Sequence, residues 1–208
     1  MENKEFDKLS YALGLSMGNN FRGSGIETIN VEDFAAGVAA VYSGEKPKMT
    51  YDEAKKEIHD YFQEMEKKQQ EKAAEMGKIN AQAGEAFLKE NGGRQEVHTT
   101  ASGLQYEVLQ EGNGPQPTAQ DQVTVHYTGR LIDGTVFDSS IERGEPATFG
   151  VTQVIPGWVE ALQMMKEGAK WRLFIPSQLA YGPNGAGGII GPNATLIFDV
   201  ELIKVIKK

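Results

Sequence analysis

The hydrophobic positions of the chain follow two different periods, which divide its 208 residues into two halves. Over residues 1–95, apolar residues recur three or four positions apart, which is the period of an amphipathic helix. From Val97 onward, apolar and polar residues alternate, which is the period of a strand with one buried face. The pattern therefore predicts a helical first half and a second half built on an antiparallel sheet.

The first helix is predicted over about residues 6–21. Beside its apolar stripe lie small residues four positions apart, Ser10, Gly14 and Gly18. Small residues at this spacing allow a neighbouring helix to approach closely. They indicate tight packing in a small helical bundle.

Two further helices are marked by residues that favour a helix start. Asn30 can cap a short helix that ends near Tyr42. Thr50 and Glu53 have the spacing of a capping box, in which each side chain bonds to the backbone of the other. We therefore expect a third helix to begin directly after Thr50.

This third helix is predicted from Tyr51 to about Asn91, and about 40 residues of helix span about 60 Å. Residues 63–72 are almost all polar, so we expect a solvent-exposed spacer helix. A coiled coil is the alternative, although the apolar seam fails over residues 69–72. Gly77 and Gly84 weaken a helix by about 1 kcal/mol each relative to Ala, and they are expected points of flexibility.

The second half predicts an α+β domain. Alternating runs at 104–108, 123–127 and 196–202 are separated by Gly-, Pro- and Asn-containing turn signals. One helix, from about Gly157 to Met165, interrupts the strands. The predicted organisation is thus a helical domain over residues 1–49, a spacer helix over 50–93 and an α+β domain over 97–208.

The amino-acid composition excludes several classes of protein and of site. The chain has 21 basic and 29 acidic residues, a net charge of -8, and no cysteine. It therefore lacks the basic footprint of a nucleic-acid binder, disulfides and thiol nucleophiles. No apolar run approaches the roughly 18 residues of a membrane-spanning helix, so no membrane partner is expected. Residues 1–5 do not resemble a secretory signal, which favours the cytoplasm, or the periplasm if a signal has been removed.

The motifs of metal and nucleotide sites are also missing. His59, His98 and His126 have no partner at ligand spacing, so no metal is expected. The glycine-rich stretch 185–190 has Ile190 where a dinucleotide motif needs its last glycine, and a strand pattern follows it. We expect no cofactor.

Large apolar residues instead cluster around the loops of the second half. Apolar side chains in turns generally line a pocket, and a few polar groups nearby are typical of a small-ligand or peptide site. The apolar and aromatic set is Tyr127, Phe137, Phe149, Val154, Ile155, Trp158, Tyr181, Ile190 and Phe198. Asp138 adds a carboxylate to the hydroxyls of Tyr127 and Tyr181.

These residues belong to motifs that resemble the FK506-binding protein (FKBP) family of peptidyl-prolyl cis-trans isomerases. The similar segments are VHYTGRL at 125–131, DGTVFDSS at 133–140, VIPGW at 154–158, AYG at 180–182 and ATLIFDVEL at 194–202. They span about residues 103–205 in consistent order. Residues 1–95, with Tyr11-Ala12-Leu13-Gly14 and the long helix, resemble the N-terminal dimerisation domain of the bacterial Mip-type branch.

The resemblance implies an antiparallel half-barrel wrapped on the one short helix. It assigns catalytic roles to Tyr181, Asp138 and Trp158, with Trp158 as the pocket floor and Asp138 at its rim. The implied substrate-binding walls are Tyr127, Phe137, Phe149, Val154, Ile155, Ile190 and Phe198, and the backbone of Ile155 is an implied ligand donor. Ala147 and Ala186 replace residues that are larger in many members, so a wider pocket is expected.

The implied activity is peptidyl-prolyl cis-trans isomerisation of unfolded or partly folded proteins, with chaperone activity. The implied partners are proline-containing polypeptides, FK506-type macrolide inhibitors and a second copy bound through residues 1–49. The alternative is a peptide-binding chaperone or adaptor whose isomerase activity is incidental.

Overall fold

The computed structural model describes residues 6–208, and the expectation drawn from residues 1–5 lies outside them. The helices are α1 Lys8–Gly23, α2 Val31–Ser43, α3 Tyr51–Asn91 and α4 Pro156–Leu162. The strands are β1 Val97–Thr99, β2 Gln105–Gln110, β3 Gln122–Leu131, β4 Val136–Ser139, β5 Ala147–Gly150, β6 Lys170–Ile175 and β7 Leu196–Ile206. Two compact units divide within α3, one up to Gln63 and the other from Glu64.

The caps predicted for α2 and α3 are present in the first unit. The side-chain oxygen of Asn30 accepts a hydrogen bond from the backbone N–H of Asp33 at 3.0 Å. At the start of α3, the N–H of Glu53 donates to Thr50 Oγ1 at 3.2 Å, and the N–H of Thr50 donates to Glu53 Oε2 at 2.7 Å. These bonds satisfy N–H groups that a helix start leaves without partners.

Helix α1 begins slightly later than the pattern predicts. The carboxylate of Asp7 accepts from the N–H of Ser10 at 2.7 Å, so Asp7 is the cap and Phe6 precedes the helix. A Cβ at Gly14 or Gly18 would meet no atom within 4 Å, and α1 contains no buried residue. The expected tight packing of this small-residue stripe is therefore wrong within a single chain.

The second unit is built on a seven-stranded antiparallel sheet in the order β1-β2-β6-β7-β3-β4, with β5 also paired to β3. Helix α4 packs on one face, where Ala161 and Leu162 are fully buried with Val123, Val125 and Leu173. This arrangement confirms the predicted α+β class and the antiparallel sheet with one short helix.

Strand β6 lies between β2 and β7 and was not predicted. Alternation fails there because Leu173, Phe174 and Ile175 are all buried. Phe174 points to the face opposite the core and meets Phe87 of α3, with 5.9 Å between ring centroids. Both faces of this strand are covered, so the period-2 signal disappears.

The last part of α3 packs on the sheet unit. Residues 66–76 are exposed, as expected of a spacer, but Gly77, Gly84 and Asn91 are buried at intervals of two helical turns. A Cβ on Gly84 would collide with Thr195 Oγ1. The expectation that Gly77 and Gly84 are flexible points is therefore wrong, because both glycines permit close contact.

Candidate functional site

A cavity of about 600 Å³ opens in the second unit beside the start of α4. All ten residues assigned to the site from the sequence line it: Tyr127, Phe137, Asp138, Phe149, Val154, Ile155, Trp158, Tyr181, Ile190 and Phe198. Gln153, Ala186, Gly187 and Ile189 complete the lining. Residues that are up to 71 positions apart in sequence thus share one cavity. The individual role of each residue stays a prediction.

Trp158 is placed by the first turn of α4. Pro156 occupies the first turn, where its fixed φ favours a helix start and its missing N–H carries no cost. A Cβ on Gly157 would lie 2.6 Å from Ile175 Cγ2, so glycine permits this close approach of the helix. The indole of Trp158 is only 3% exposed, and its Nε1 is buried without an acceptor among residues 6–208.

Three aromatic rings surround this indole, each from a different strand. Tyr127 of β3 and Phe198 of β7 meet Trp158 edge to face, at centroid distances of 5.3 and 5.2 Å. Phe149 of β5 lies 5.7 Å away. Such contacts stabilise an aromatic cluster beyond its burial alone. They hold the indole in one orientation.

Gly129 provides the space for the next wall of the cavity. A Cβ at this position would lie 2.6 Å from carbon atoms of both Phe137 and Phe198. The two phenyl rings meet edge to face at 5.4 Å because the glycine of β3 has no side chain. The glycine within the segment Tyr127-Thr128-Gly129 is thus required by packing.

The polar side of the cavity is a network of three side chains. The hydroxyl of Tyr127 donates to Asp138 Oδ2 at 2.5 Å, and Arg143 pairs with Asp138 Oδ1. Arg143 also donates to the Tyr127 hydroxyl at 2.9 Å. Partial burial works to raise the pKa of Asp138, but the hydrogen bonds from Tyr127 and Arg143 outweigh it and hold that pKa below its usual value. Asp138 is therefore a carboxylate at neutral pH.

Tyr127 is held at its backbone as well as at its hydroxyl. Ser140, which is fully buried, accepts from the Tyr127 N–H at 2.8 Å and lies 3.2 Å from the Tyr127 carbonyl oxygen. His126 Nδ1 lies 3.0 Å from the same Ser140 hydroxyl. Burial, together with the bond to Asp138, raises the pKa of the Tyr127 phenol, which stays protonated at neutral pH.

Tyr181 and the following loop form the rim. Tyr181 is 41% exposed, and its hydroxyl has no hydrogen-bond partner among residues 6–208. The loop then returns to the cavity through paired backbone bonds between Ala186 and Ile190, at 2.8 and 3.0 Å. This pairing presents Ile189 and Ile190 toward the site.

Residues 6–208 contain no group of three or more His, Asp or Glu side chains arranged to hold a metal ion. None of the helices in that range combines the length and apolar character needed to cross a membrane.

Comparison with family models decides the assignment. Residues 114–203 match the model described as FKBP-type peptidyl-prolyl cis-trans isomerase. Residues 6–108 match the domain amino terminal to FKBP-type peptidyl-prolyl isomerase. A probable FKBP-type peptidyl-prolyl cis-trans isomerase FkpA of Neisseria meningitidis is 50% identical over 94% of this chain and 73% of its own length. The chain belongs to the FKBP-type peptidyl-prolyl cis-trans isomerase family.

Other members of this family cover nearly the whole chain. The peptidyl-prolyl cis-trans isomerase Mip of Coxiella burnetii is 48% identical over 98% of this chain and 88% of its own length. The crystal structure of FkpA from Escherichia coli aligns with a TM-score of 0.74 at 36% identity, covering 99% of this chain and 98% of that one. The resemblance inferred from the motifs is confirmed, and the chain is a peptidyl-prolyl cis-trans isomerase.

The FKBP fold also shows which site residues the sequence did not reveal. Gln153 and Gly187 line the cavity, and Arg143 completes the polar network. Gln153 is placed by a local bond, in which its side-chain oxygen accepts from the Gly150 N–H at 2.9 Å. A polar residue in a turn gives no pattern signal, so these positions could be found only from the structure.

Two alanines depart from the family pattern, and only one of them lines the cavity. Ala186 lines the cavity, whereas Ala147 of β5 does not reach it. Ala147 pairs instead with Val125 in the sheet. The wider pocket expected from both residues stays a prediction.

Proposed function

We propose that this isomerase acts on X-Pro bonds of unfolded or partly folded proteins, with the cavity over Trp158 as its active site. The observation that supports this most directly is the combination of an aromatic floor with an ordered carboxylate network at one edge. The cavity volume of about 600 Å³ is in the range of small-ligand pockets. It can take a proline with its neighbouring residues.

The reaction needs no bond to be made or broken. Rotation about a peptide bond faces a barrier of about 18–20 kcal/mol, because the C–N resonance must be lost. The isomers of X-Pro differ by only about 0.5–1 kcal/mol, yet they exchange over tens to hundreds of seconds. An apolar cavity disfavours the planar, dipolar amide more than the twisted one, so the barrier falls by differential binding.

The residues of the cavity have distinct proposed roles. The proline ring rests on Trp158, within the wall of rings described above. The free hydroxyl of Tyr181 donates to the substrate carbonyl as it turns out of the amide plane. The backbone N–H of Ile155, which has no acceptor among residues 6–208, donates to the bound chain. Asp138 orients Tyr127 and Arg143 as a carboxylate and does not act as a general acid.

We also propose that two copies associate through residues 1–49. Within the described residues α1 and α2 have no buried side chain, and large apolar residues such as Leu9 and Leu13 are more than half exposed. Exposed apolar residues in this number favour a protein partner. Two sites on one particle would slow the release of an unfolded client and support chaperone activity.

The name of one relative bears on the compartment. One relative, 45% identical over 97% of this chain and 86% of its own length, is the outer membrane protein MIP of Legionella longbeachae. The cytoplasmic expectation gains no support from this relative. We therefore propose the alternative, the periplasm, and fractionation of cells that make the native protein tests it.

Magnetisation-exchange NMR on a short X-Pro peptide tests the proposed site, with the full chain at catalytic concentration. Tyr181→Phe retains the ring and removes the hydroxyl, so we expect slower exchange than with the parent chain. Tyr106→Phe is the matched control, because Tyr106 stacks on Trp171 at 4.3 Å and does not line the cavity. An FK506-type macrolide is expected to suppress the exchange.

Each outcome of this experiment is informative. Acceleration that Tyr181→Phe weakens and Tyr106→Phe retains supports the proposed site. Equal rates for both variants and the parent would remove Tyr181 from the mechanism. Peptide binding without acceleration, by a folded chain, would favour the adaptor alternative.

A further inference from the structure

A loop that lines the cavity is bonded at its base to helix α3, which is not part of the site described above. The loop of residues 181–195 leaves the sheet unit at Tyr181, lines the cavity at Ala186 and Ile190, and returns at Thr195. Its base is closed on itself by the N–H of Asn193, which donates to the carbonyl of Gly182 at 2.8 Å. This bond joins the two ends of the loop at its base, next to the residues that contact α3.

Two side-chain amides join this base to α3. Asn80 Nδ2 donates to the carbonyl oxygen of Pro192 at 2.8 Å. In the opposite direction, Asn193 Nδ2 donates to the carbonyl oxygen of Gly77 at 3.3 Å. The Pro192 carbonyl is two residues from Ile190, so this bond fixes the backbone directly behind a cavity wall.

Glycines at the contact make these bonds geometrically possible. A Cβ on Gly77 would lie 3.2 Å from Asn193 Nδ2 and 3.3 Å from Pro192 Cβ. A Cβ on Gly191 would lie 2.9 Å from Asn80 Nδ2. The helix and the loop thus approach at backbone distance, where short amide side chains can reach carbonyl groups.

The backbone of the loop is itself adapted to this contact. Asn193 has a φ of 55°, and among residues 6–208 it is the one non-glycine residue with a positive φ. Asn tolerates this conformation better than most residues. Its side chain then contacts α3 while its own N–H closes the loop.

We propose that Asn80 and Asn193 are positioning residues for the isomerase reaction, through which α3 sets the width of the cavity at the wall formed by Ile189 and Ile190. This proposal rests on the proposed active site over Trp158. In this proposal Ile189, which is 53% exposed, and Ile190, which is 8% exposed, contact the substrate residues that flank the proline, whereas Trp158 receives the ring. Release of the loop therefore weakens the hold on flanking residues more than it changes the rotation step.

The test compares Asn80→Ala with Asn91→Ala in the full chain. Asn91 also joins α3 to the sheet by a side-chain amide, donating to Gln105 Oε1 at 2.9 Å, but it contacts no cavity residue. Magnetisation-exchange NMR with an X-Pro peptide gives KM and kcat. For Asn80→Ala we expect KM to rise about threefold to tenfold, the scale of one net hydrogen bond, with kcat changed less than about twofold.

A spectroscopic readout separates positioning from a loss of stability. With 13C-labelled isoleucine methyl groups, Asn80→Ala is expected to shift the Ile190 signal, whereas Asn91→Ala is expected to leave it in place. Asn193→Gly is an independent variant, because glycine accepts a φ of 55° and only the side-chain bond to Gly77 is lost. It should reproduce the KM effect of Asn80→Ala.

Failure of the proposed function and failure of the positioning role give different results. No acceleration by the parent chain would refute the proposed function itself. A catalytically active parent, with Asn80→Ala and Asn193→Gly unchanged in KM and in the Ile190 signal, would refute the positioning role alone. Equal KM increases for Asn80→Ala and Asn91→Ala would also refute it, because general loosening of α3 would then explain the effect.

Discussion

The hydroxyl oxygen of Tyr127 lies 2.5 Å from Oδ2 of Asp138, and Arg143 bonds to both side chains. The same tyrosine ring meets Trp158 edge to face. One side chain therefore connects the charged edge of the cavity to its apolar floor. A change at the hydroxyl is transmitted to the ring that proline is proposed to contact.

Tyr127→Phe should separate these two functions of the side chain. The ring remains, whereas Asp138 loses one of its two side-chain donors. We expect kcat/KM on an X-Pro peptide to fall by about tenfold, the scale of a hydrogen bond to a charged group. Tyr106→Phe serves as the control outside the cavity, and an unchanged kcat/KM for Tyr127→Phe would show that the network does not contribute to catalysis.

The pH profile of isomerisation should be flat between about pH 5 and 8. The pKa of Asp138 lies below its ordinary value, so its charge is present through this range and is lost only as the pH falls below about 4. The pKa of Tyr127 lies above its ordinary value, so its proton stays in place. NMR exchange rates across pH 3–8 measure this, and a step between about pH 5 and 8 would show that a group other than Asp138 and Tyr127 controls the rate.

Gly84→Ala should destabilise the sheet unit. Its methyl group would enter the space of Thr195 Oγ1, and overpacking of this kind costs about 1–3 kcal/mol. Gly37→Ala in α2 is the control, because its methyl group would meet no atom within 4 Å. Calorimetry should show a lower transition temperature for the sheet unit in Gly84→Ala only. Equal transition temperatures would mean that α3 does not pack there in solution.

Asp121 should make the stability of the sheet unit sensitive to acid. Its nearly buried carboxylate accepts from the N–H and hydroxyl of Thr118 and from Lys207 Nζ, at 2.7 to 2.9 Å. The backbone bond from Thr118 is the largest of the causes that hold its pKa far below the ordinary value. The stabilisation is therefore complete above the unfolded pKa, near 3.8, and is lost as the pH falls below it.

Urea unfolding followed by tryptophan fluorescence measures this effect, since both tryptophans, Trp158 and Trp171, lie in the sheet unit. Asp121→Asn should lower the free energy of unfolding at pH 7 and reduce its fall between pH 5 and 3. The exposed Glu111→Gln is the control. The same pH dependence in Asp121→Asn and the parent would exclude this carboxylate as the source.

Gly14→Ala tests the proposed association of two copies. In the free chain the added methyl group meets no atom, and Ala favours a helix by about 1 kcal/mol over Gly. At a close helix contact with a second copy the same methyl group is an obstacle. We expect analytical ultracentrifugation to show weaker association of Gly14→Ala, with unchanged or higher helix content. Ser16→Ala, on the opposite side of α1, is the control and should leave association unchanged. Unchanged association would place the contact elsewhere.

Local signals explain which parts of this fold were predictable. The caps at Asn30 and Thr50 depend on residues three positions apart, and the sequence displays them directly. Strands β3 and β7 have one buried and one more exposed face over most of their length, so alternation reveals them. Strand β6 was missed because α3 covers its second face, which is a contact between distant segments.

The site residues likewise divide into those that the sequence reveals and those that only distant contacts define. Its ten predicted residues carry a family pattern, and the fold brings all of them to one cavity. Arg143 and Gln153 were missed because their side chains act through contacts that no local period records. Gly77 and Gly84 were misread as weak points for the same reason. A glycine in a helix looks like a loss of propensity until the segment packed against it is known.

The central position of β7 has a consequence for synthesis of the protein. Helices α1 and α2 form from residues close in sequence, so they can form as soon as they are made. The sheet instead needs pairs such as Val123 with Val205, because β7 lies between β3 and β6. Until the last strand leaves the ribosome, β3 and β6 present two unpaired edges to other chains. The isomerase unit can thus complete its sheet only after β7 has been synthesised.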